Sequence, residues 1–302
     1  MSTITTGVNP KAMWPGVKHW FGKDYEEYSP QWPDLFQQET SDKNYEEVVE
    51  SVGFGLAVVE PQGGSTQYDA DQQGATFRFT HVAYSLGFVV TIEEMRDNQY
   101  ADGAKRRAPD LAFSMRQTKE NVAANVYNRG FNSSYVTGDG KELLATDHPS
   151  MVGSQSNELA VSADLSEASL EDLVIQINQS QDSRGRVCNI KAQTLHIPPQ
   201  LEFEAYRILK SVQQNDTANN AINSLRASGA IPGGCKVNQF FTDPDAFFIR
   251  TDRRWSLLHF QRDPNEFRED GDFDTYNQKY AAYERYSVGS ADFRGIYGSP
   301  GA

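Results

Sequence analysis

A long helical stretch, PDLAFSMRQTKENVAANVYNRGF, constrains the fold of this chain more than any other part of its sequence. We expect this helix to begin at Pro109, because proline is favoured in the first turn of a helix, and to end in a Schellman turn at Gly130 and Phe131. About twenty residues at about 1.5 Å each make a rod of roughly 30 Å, which favours an elongated molecule over a compact enzyme. The residues that keep helical spacing on one face, and that we expect to be buried, are Leu111, Met115, Thr118, Val122 and Val126.

The segment before this helix, residues 52–91, is typical of β-structure. Valine, phenylalanine, tyrosine and threonine alternate with other residues in ATFRFTHVAYS, and the middle part, EPQGGSTQYDADQQG, is polar and rich in turn-forming residues. This pattern predicts two long strands joined by a wide loop, a hairpin whose polar tip projects from the molecule. We interpret Gly53 and Gly55 as positions of a bulge or of close backbone approach, because VGFGLA is too short for a dinucleotide-binding motif.

Two shorter helices are predicted on either side of this hairpin. SDKNYEEVVES is interpreted as a helix capped by Ser41 or Asp42. TIEEMRDNQYAD begins a second helix, because Thr91 and Glu94 have the spacing of a capping box.

The first fifty residues have the composition of an arm rather than of a packed domain. Prolines at positions 15, 30 and 33 interrupt any helix there, and large aromatic side chains on an extended arm need a surface to bury against. The arm either folds onto its own domain or reaches a neighbouring subunit, and the composition does not separate the two. Its large aromatic residues are Trp14, Trp20, Phe21, Trp32 and Phe36.

The C-terminal half alternates between helical and β patterns, which indicates an α+β domain of about a hundred residues. SEASLEDLVIQINQ predicts an amphipathic helix with Ser169 and Asp172 as its capping pair, and LEFEAYRILKSV predicts another helix. AQTLHIPP, CKVNQFFTD and AFFIRTD predict strands, and the tyrosine-rich tail returns to β-structure. The residues expected to face inward from the first of these helices are Leu170, Leu173, Val174 and Ile177.

The bulk composition excludes several classes of protein. The 302 residues carry a formal net charge of −13, which argues against a nucleic-acid-binding surface, since phosphate contacts need clustered lysine and arginine. Cys188 and Cys235 show no metal-site or redox spacing and are expected to be ordinary reduced thiols. No secretory signal is expected from MSTITTGVNP, and no apolar run is long enough for a membrane span, so we expect a cytoplasm-like compartment.

Motifs of catalysis and metal binding are absent from the sequence. It contains no Walker A motif, GxSxG or HExxH, and its five histidines are scattered. The acidic run from Glu266 to Asp274 lacks the order of an EF-hand, and we interpret it as a solvated loop. The stretch LLATDHPS could support a hydrolase through Asp147 and His148, but only with a third group from elsewhere in the chain. A turn is favoured instead, in which Asp147 bonds back to its own backbone and Pro149 holds His148 extended.

Several long phrases, spread in order from about residue 90 to the end, resemble tailed-bacteriophage major capsid proteins of the Hong Kong 97 fold. The branch with the nearest resemblance includes the Mu-like major head subunits. The phrases are TKENVAANVYNRGF, LLATDHPS, LSEASLEDLVIQI, IPPQLEFEAYRILKS, TDPDAFFI, GDFDTYNQKYAAYERYSVG and RGIYGSPGA.

This resemblance implies an α+β fold made of four parts. They are an N-terminal arm (1–51), an extended E-loop hairpin (52–90), a P-domain formed by residues 91–150 with the long spine helix and residues 252–302 with the C-terminal strands, and an A-domain (151–251). LLATDHPS then lies where the P- and A-domains meet, and no catalytic, metal-binding or cofactor-binding residue is expected.

The resemblance also implies a function and partners. The chain would self-assemble, as hexamers and pentamers, into the icosahedral shell that encloses the double-stranded DNA of a phage head. A separate scaffolding protein, a portal at one vertex and, as an optional addition, a decoration protein would join it in the host cytoplasm. The bacterial nanocompartment shells, which are encapsulin-like and share the fold, are the alternative. Candidate inter-subunit contacts are the five aromatic residues of the arm and the charged hairpin residues Glu60, Asp69, Asp71 and Arg78.

Some shells of this fold are locked by an isopeptide bond from a hairpin lysine to an asparagine of a neighbour. No lysine lies between Lys43 and Lys105 here, so the hairpin has no amine to offer. The sequence therefore predicts a shell held together without covalent links.

Overall fold

A computed structural model describes Phe21 and residues 29–97, 100–213, 221–272 and 276–302, without the side chains of residues 95, 96 and 100–106. Trp14 and Trp20 lie outside the described residues. The helices are α1 (Trp32–Leu35), α2 (Ile92–Arg96), α3 (Tyr100–Asn128), α4 (Glu167–Asn178), α5 (Glu202–Lys210) and α6 (Ser224–Ser228). The strands are β1 (Gln37–Thr40), β2 (Tyr45–Ser51), β3 (Gln73–Thr80), β4 (Val82–Val90), β5 (Ala192–Ile197), β6 (Cys235–Val237), β7 (Phe247–Thr251), β8 (Leu257–Gly271), β9 (Gln278–Ser290) and β10 (Ile296–Ser299). Short 3-10 turns cover Pro199–Leu201 and Phe293–Gly295.

In the part of the chain that the structure describes, the strands form two four-stranded sheets and a two-stranded ribbon. The first sheet has the order β1-β8-β9-β4, and its centre is the long antiparallel pair β8 and β9. The second sheet has the order β10-β7-β5-β6. The ribbon pairs β2 with β3 in antiparallel register. The mixed helix and sheet composition confirms the predicted α+β class.

The long helix α3 is longer than the sequence predicts. It runs for 29 residues, a rod of roughly 43 Å, and Pro109 lies inside it. The prediction that the helix begins at Pro109 is therefore wrong, because the helix accommodates a proline in its third turn and nine residues precede it. No helix in the described part of the chain is both long and apolar enough to cross a membrane.

The buried face of α3 is also rotated from the predicted one in its second half. Leu111 and Met115 are buried as predicted, but Thr118, Val122 and Val126 are only half-buried, and the two valines line an open groove between α3 and β3. The core position beside them is held by Lys119, which the hydrophobic pattern could not identify. Its Nζ donates hydrogen bonds to Glu284 Oε1 at 2.6 Å and to Gln261 Oε1 at 2.8 Å, so the buried charge is paired.

The helix ends for a different reason from the one predicted. A Schellman turn needs a left-handed residue, and Gly130 is not among the residues with positive φ. A Cβ at Gly130 would instead lie 3.0 Å from Leu144 Cδ1 and 3.0 Å from the Tyr127 carbonyl oxygen. Gly130 is therefore required by the close approach of the chain around Leu144.

The hairpin is built from different strands than the sequence predicts. Residues 45–51, predicted as helix, form the strand β2, whose side chains alternate between exposed and half-buried. This strand pairs with β3, while β4 leaves the hairpin and pairs with β9. The pattern YEEVVES suits either structure, and pairing with β3 decides between them. The hairpin therefore has β2 and β3 as its stem and residues 52–72 as its loop.

The acidic run Glu266 to Asp274 is likewise not only a loop. Residues 266–271 belong to β8, which extends beside β9 as far as Gly271. The interpretation as a solvated loop is wrong for these six residues, because their pairing with β9 continues the sheet.

The second sheet packs with α4 around the principal apolar core. Leu170, Leu173 and Ile177 of α4 are buried as predicted, against residues such as Leu195 of β5 and Ile249 of β7. Burial of a leucine or isoleucine side chain contributes about 1.5–3 kcal/mol, so this cluster stabilises the region strongly.

The capping pair of α4 differs from the predicted pair. Ser166 caps the helix, and Ser166 and Ser169 form the reciprocal capping box, rather than Ser169 and Asp172. The predicted capping of α2 is confirmed, since Thr91 Oγ1 accepts a hydrogen bond from the Glu94 N–H.

Candidate assembly surfaces

The loop of residues 52–72 presents apolar side chains to solvent. Leu56 is 81% exposed and Val59 and Tyr68 are each 95% exposed, and Phe54 and Val58 are also exposed. Exposed apolar patches on folded proteins are candidates for interaction sites. The prediction of a polar tip is therefore incomplete, because the apolar run FGLAVV precedes the polar residues and is not buried within the chain.

Two aspartates order the base of this loop. Asp69 Oδ2 accepts a hydrogen bond from the Gly55 N–H at 2.7 Å, and Asp71 Oδ1 accepts one from the Gly53 N–H at 2.7 Å. The Gly55 N–H is the leading cause that lowers the pKa of Asp69, and the Ser51 hydroxyl is the leading cause that lowers the pKa of Asp71. Gly53 has a φ of +70°, a conformation that favours glycine. The atoms nearest to a Cβ added at Gly53 or Gly55 are side-chain atoms 3.3 Å away, so the close approach predicted at these glycines is made by side chains.

The same loop is attached to the turn that follows α4. Arg184 Nη1 lies 2.7 Å from Asp69 Oδ2, and Arg184 Nη2 donates to the Ala70 carbonyl oxygen at 2.7 Å. The Ser183 hydroxyl donates to Glu50 Oε1 at 2.6 Å on β2, the strand that enters the loop. The entry to the loop and its last residues are thereby connected to one turn.

The charged hairpin residues that the sequence predicts as inter-subunit contacts therefore differ in their surroundings. Asp69 and Asp71 are held by their own chain through the contacts above. Arg78 lies over the ring of Tyr45 at 3.8 Å and 3.9 Å from Glu47 Oε1. Glu60 is exposed.

The aromatic residues of the arm that the structure describes pack against their own chain. Phe21 is buried and stacks on Phe267 with 4.6 Å between ring centroids. Phe36 is buried and meets Tyr127 edge to face. Of the two alternatives for the arm, folding onto its own domain holds for these side chains.

Trp32 is half-buried in the same region. Its ring lies 4.3 Å from that of His259, and Lys119 Nζ lies 4.4 Å from its centroid. The Trp32 N–H donates to Glu120 Oε2 at 2.9 Å. This residue therefore joins α1 to α3 and β8 within one subunit.

The LLATDHPS corner is a buried cross-link between segments. The His148 ring is fully buried and stacks on Phe293 with 4.0 Å between centroids. Its Nδ1 lies 2.7 Å from Asp139 Oδ2, and its Nε2 lies 3.0 Å from Asn157 Oδ1, each within hydrogen-bonding distance. Burial opposes ionisation of Asp139, but hydrogen bonds led by that from His148 lower its pKa overall.

Asn157 extends this cross-link to the C-terminal strand. Its side-chain amide nitrogen lies within hydrogen-bonding distance of three carbonyl oxygens, and its Oδ1 also accepts from the Ala145 N–H at 2.9 Å. The three carbonyl oxygens belong to Leu143, Phe293 and Ile296. Both nitrogens of the His148 ring are therefore used in the interior.

Asp147, the other residue of the hypothetical hydrolase site, is exposed and paired with Lys141. The expected side-chain bond to a nearby backbone is made by Asp139 instead, which accepts from the Lys141 N–H at 3.1 Å. The predicted Asx-turn at Asp147 is therefore wrong, because Asp147 pairs with Lys141 and the aspartate that bonds the nearby backbone lies eight residues earlier.

Other chemically capable groups do not form a site within the described residues. Burial raises the pKa of the Cys188 thiol, and it raises that of Cys235 to about 11, so both thiols are protonated at neutral pH. No group of three or more histidine, cysteine, aspartate and glutamate side chains in the described ranges could hold a metal ion.

The sequence matches the family described as phage capsid protein over residues 74–299. The chain belongs to the phage capsid protein family. None of the curated proteins compared with it matches. As a phage capsid protein it is a structural subunit of a phage capsid, and the nanocompartment alternative is not favoured.

Solved structures show which fold this phage capsid protein has. A virus-like particle from Pyrococcus furiosus is 11% identical with a TM-score of 0.54, and the alignment covers 95% of this chain and 98% of that chain. A structure from Mycobacterium phage Che8 is 15% identical with a TM-score of 0.53, over 92% and 94% of the two chains. The capsid of a native GTA particle is 9% identical with a TM-score of 0.54, over 89% of each chain. The fold is that of Hong Kong 97-type capsid proteins, as the resemblance implied.

The matched range of this phage capsid protein begins within β3 and ends within β10. The exposed apolar loop therefore precedes the part that defines the family. Sequence reasoning missed Leu56, Val59 and Tyr68 as contact candidates, although FGLAVV beside a polar stretch was the available signal.

Proposed function

We propose that this chain is a major head subunit of the Mu-like branch and that its loop of residues 52–72 makes the principal contact between copies. The observation that carries the second part is that Leu56, Val59 and Tyr68 of this one loop have the highest exposed fractions among the large apolar side chains of the described residues, above those of Val161 and Phe203 elsewhere. A closed shell repeats one contact many times, so even a modest contact sums to a stable lattice.

The domain boundaries implied by the resemblance stand as a proposal: arm 1–51, E-loop 52–90, P-domain 91–150 and 252–302, and A-domain 151–251. Strand pairing suggests three changes. The stem strand β2 belongs with the E-loop, while β4 belongs with the P-domain, since it pairs with β9. Similarly, β10 belongs with the A-domain sheet, where it pairs with β7.

Among the residues proposed for inter-subunit contacts, Glu60 remains a candidate together with the exposed apolar residues beside it. The roles of Trp14 and Trp20 also remain proposals. Phe21, Trp32 and Phe36, by contrast, are used within the subunit, as are Asp69 and Asp71.

The absence of lysine between Lys43 and Lys105 supports a shell without covalent links. Denaturing gels of boiled mature particles are expected to show one band of subunit mass. A ladder of high-mass species would contradict this proposal.

The remaining partners are proposed from the resemblance: hexamers and pentamers of this chain, a separate scaffolding protein, a portal at one vertex and, as an optional addition, a decoration protein. Assembly would take place in the host cytoplasm around double-stranded DNA, and the net charge of −13 suits an interior that lets packaged DNA move. No enzymatic role is proposed, because His148 is committed to the interior.

The experiment that tests this function is electron microscopy of the chain expressed with and without its neighbouring genes. Closed shells are expected with those genes, and capsomers or irregular assemblies without them. Uniform closed shells from the chain alone would contradict the need for a separate scaffold. A chain that remains a monomer under both conditions would contradict the shell function itself.

A further inference from the structure

The turn that follows α4, residues 182–186, holds the side chains of Ser183 and Arg184 in fixed positions. Asp182 Oδ1 accepts hydrogen bonds from the N–H groups of Arg184 at 2.9 Å and Arg186 at 2.8 Å. Arg186 Nε donates to Asp182 Oδ2 at 2.6 Å, and the Gly185 N–H donates to the Asp182 carbonyl oxygen at 3.0 Å. The turn is therefore ordered by its own contacts, independently of the loop beside it.

This turn contacts the strand that enters the loop of residues 52–72. The buried Ser183 donates its hydroxyl hydrogen bond to Glu50 Oε1. The buried Arg294 also lies 3.4 Å from Glu50 Oε1, and its Nε donates to the Gln181 carbonyl oxygen at 2.7 Å. The last residues of β2 are thereby attached to residues 181–183.

The segment that leaves the loop is attached to the same turn by a forked contact. The two terminal nitrogens of Arg184 reach the Asp69 carboxylate and the Ala70 carbonyl oxygen, each at 2.7 Å. A guanidinium presents its donors in a fixed planar geometry, so two simultaneous contacts set the direction as well as the position of the segment.

Asp69 also links the two sides of the loop to each other. Its Oδ2 accepts from the Gly55 N–H and faces Arg184. One carboxylate therefore connects the incoming chain, the outgoing chain and the turn, just before the exposed Leu56.

We infer that residues 182–186 are a clamp that orders the loop of residues 52–72 in the free subunit, so that its apolar side chains are oriented before they dock on a second copy. This inference rests on the proposed function of the loop. A loop that is ordered in advance loses less conformational entropy on binding, which strengthens association without any new contact across the interface. Asp69 and Arg184 act on assembly through the position of the loop and need not touch the neighbouring copy.

The test compares variants that loosen the clamp with a matched variant elsewhere. Arg184→Gln removes the cation, and Asp69→Asn weakens the ion pair while it keeps an oxygen for the Gly55 N–H. Arg268→Gln is the control, because it removes a cation from an ion pair with Glu266 on β8 that lies far from the loop in the sequence and is more exposed than that of Arg184. The full chain is purified as free subunits for hydrogen exchange and is also co-expressed with the neighbouring head genes for particle yield by sedimentation.

Both clamp variants are expected to exchange the amides of residues 53–56 about two- to fivefold faster than wild type, and to lower particle yield by a similar factor, with an unchanged melting temperature. The control is expected to match wild type in all three measurements. Unchanged exchange in the loop would overturn the clamp, and faster exchange with unchanged particle yield would overturn its role in assembly. A wild-type chain that shows slow loop exchange but forms no particles would instead contradict the proposed function, and with it the docking half of this inference.

Discussion

The core of the second sheet and the loop of residues 52–72 contain the same kinds of side chains in opposite surroundings. Leu173, Leu195 and Ile249 are fully buried by α4 and the sheet, whereas Leu56 and Val59 lie almost entirely in solvent. The first region buries its apolar side chains within one chain, whereas the second can bury them only against another molecule. The loop accordingly depends on hydrogen bonds and an ion pair for its order, while the core depends on packing.

The largest difference between the two regions is expected for truncation of a leucine in each. Leu195→Ala is expected to lower the free energy of unfolding by about 2–5 kcal/mol, because it leaves a cavity among buried neighbours. Leu56→Ala is expected to change it by less than about 0.5 kcal/mol. Urea unfolding of the free subunits measures both, and similar values for the two would remove the distinction between the regions.

The buried corner at His148 is expected to behave like the core. His148→Ala leaves Asp139 and Asn157 in the interior without their partner, and a loss of about 2–4 kcal/mol in the free energy of unfolding follows. The matched change Asp147→Ala removes an exposed ion pair with Lys141 and is expected to lower the free energy of unfolding by less than about 1 kcal/mol. A His148→Ala chain as stable as wild type would restore the alternative that this histidine is reserved for chemistry.

Acid is expected to weaken the core well above the pH at which it affects the loop. Burial, helped by Arg250 and Lys236, lowers the pKa of His196 to about 3. Since an unfolded histidine binds a proton near pH 6.5 and the folded one does not, stability is lost as the pH falls from about 6.5 towards 3, by up to about 1.4 kcal/mol per pH unit. His196→Leu should reduce this slope in urea unfolding at pH 7, 6 and 5, and an unchanged slope would contradict the burial of a neutral ring.

Acid affects the loop through a carboxylate, that of Asp69, rather than through a histidine. The lowered pKa of Asp69, caused first by the Gly55 N–H, means that its contribution is present above about pH 4 and is lost only as the pH falls through the lowered value. Hydrogen exchange at Gly55 is therefore expected to be the same at pH 7 and pH 5 after correction for the intrinsic rate. A large increase at pH 5 would show that the carboxylate does not hold this amide.

Sequence reasoning succeeded where a pattern reports on burial along one element. The inward face of α4 and the strands β5 and β7 were predicted because apolar periodicity survives in any fold that buries them. It failed at β2, where YEEVVES suits a helix as well as an edge strand and only the approach of β3 decides. It failed also at Lys119, because a lysine takes a core position only when a partner such as Glu284 is brought to it.

The assembly surface was harder to predict for the same reason. Asp69 and Asp71 were chosen because exposed charges often make contacts, but their partners are Gly53, Gly55 and the distant Arg184. No local pattern indicates that a turn 115 residues further along the chain reaches Asp69. The apolar run at Leu56 looked like a strand interior, and only its exposure in the folded subunit reveals its use.

The most direct test of the claim that this loop is buried on another copy is the assembly of a Val59→Asp variant beside wild type. Both chains are co-expressed with the neighbouring head genes, sedimented and imaged by negative-stain microscopy, and their free subunits are melted in parallel. Closed shells are expected from wild type. Folded but unassembled subunits with an unchanged melting temperature are expected from the variant, because Val59 contributes nothing to the core of its own chain. Closed shells in equal yield from both chains would contradict the claim.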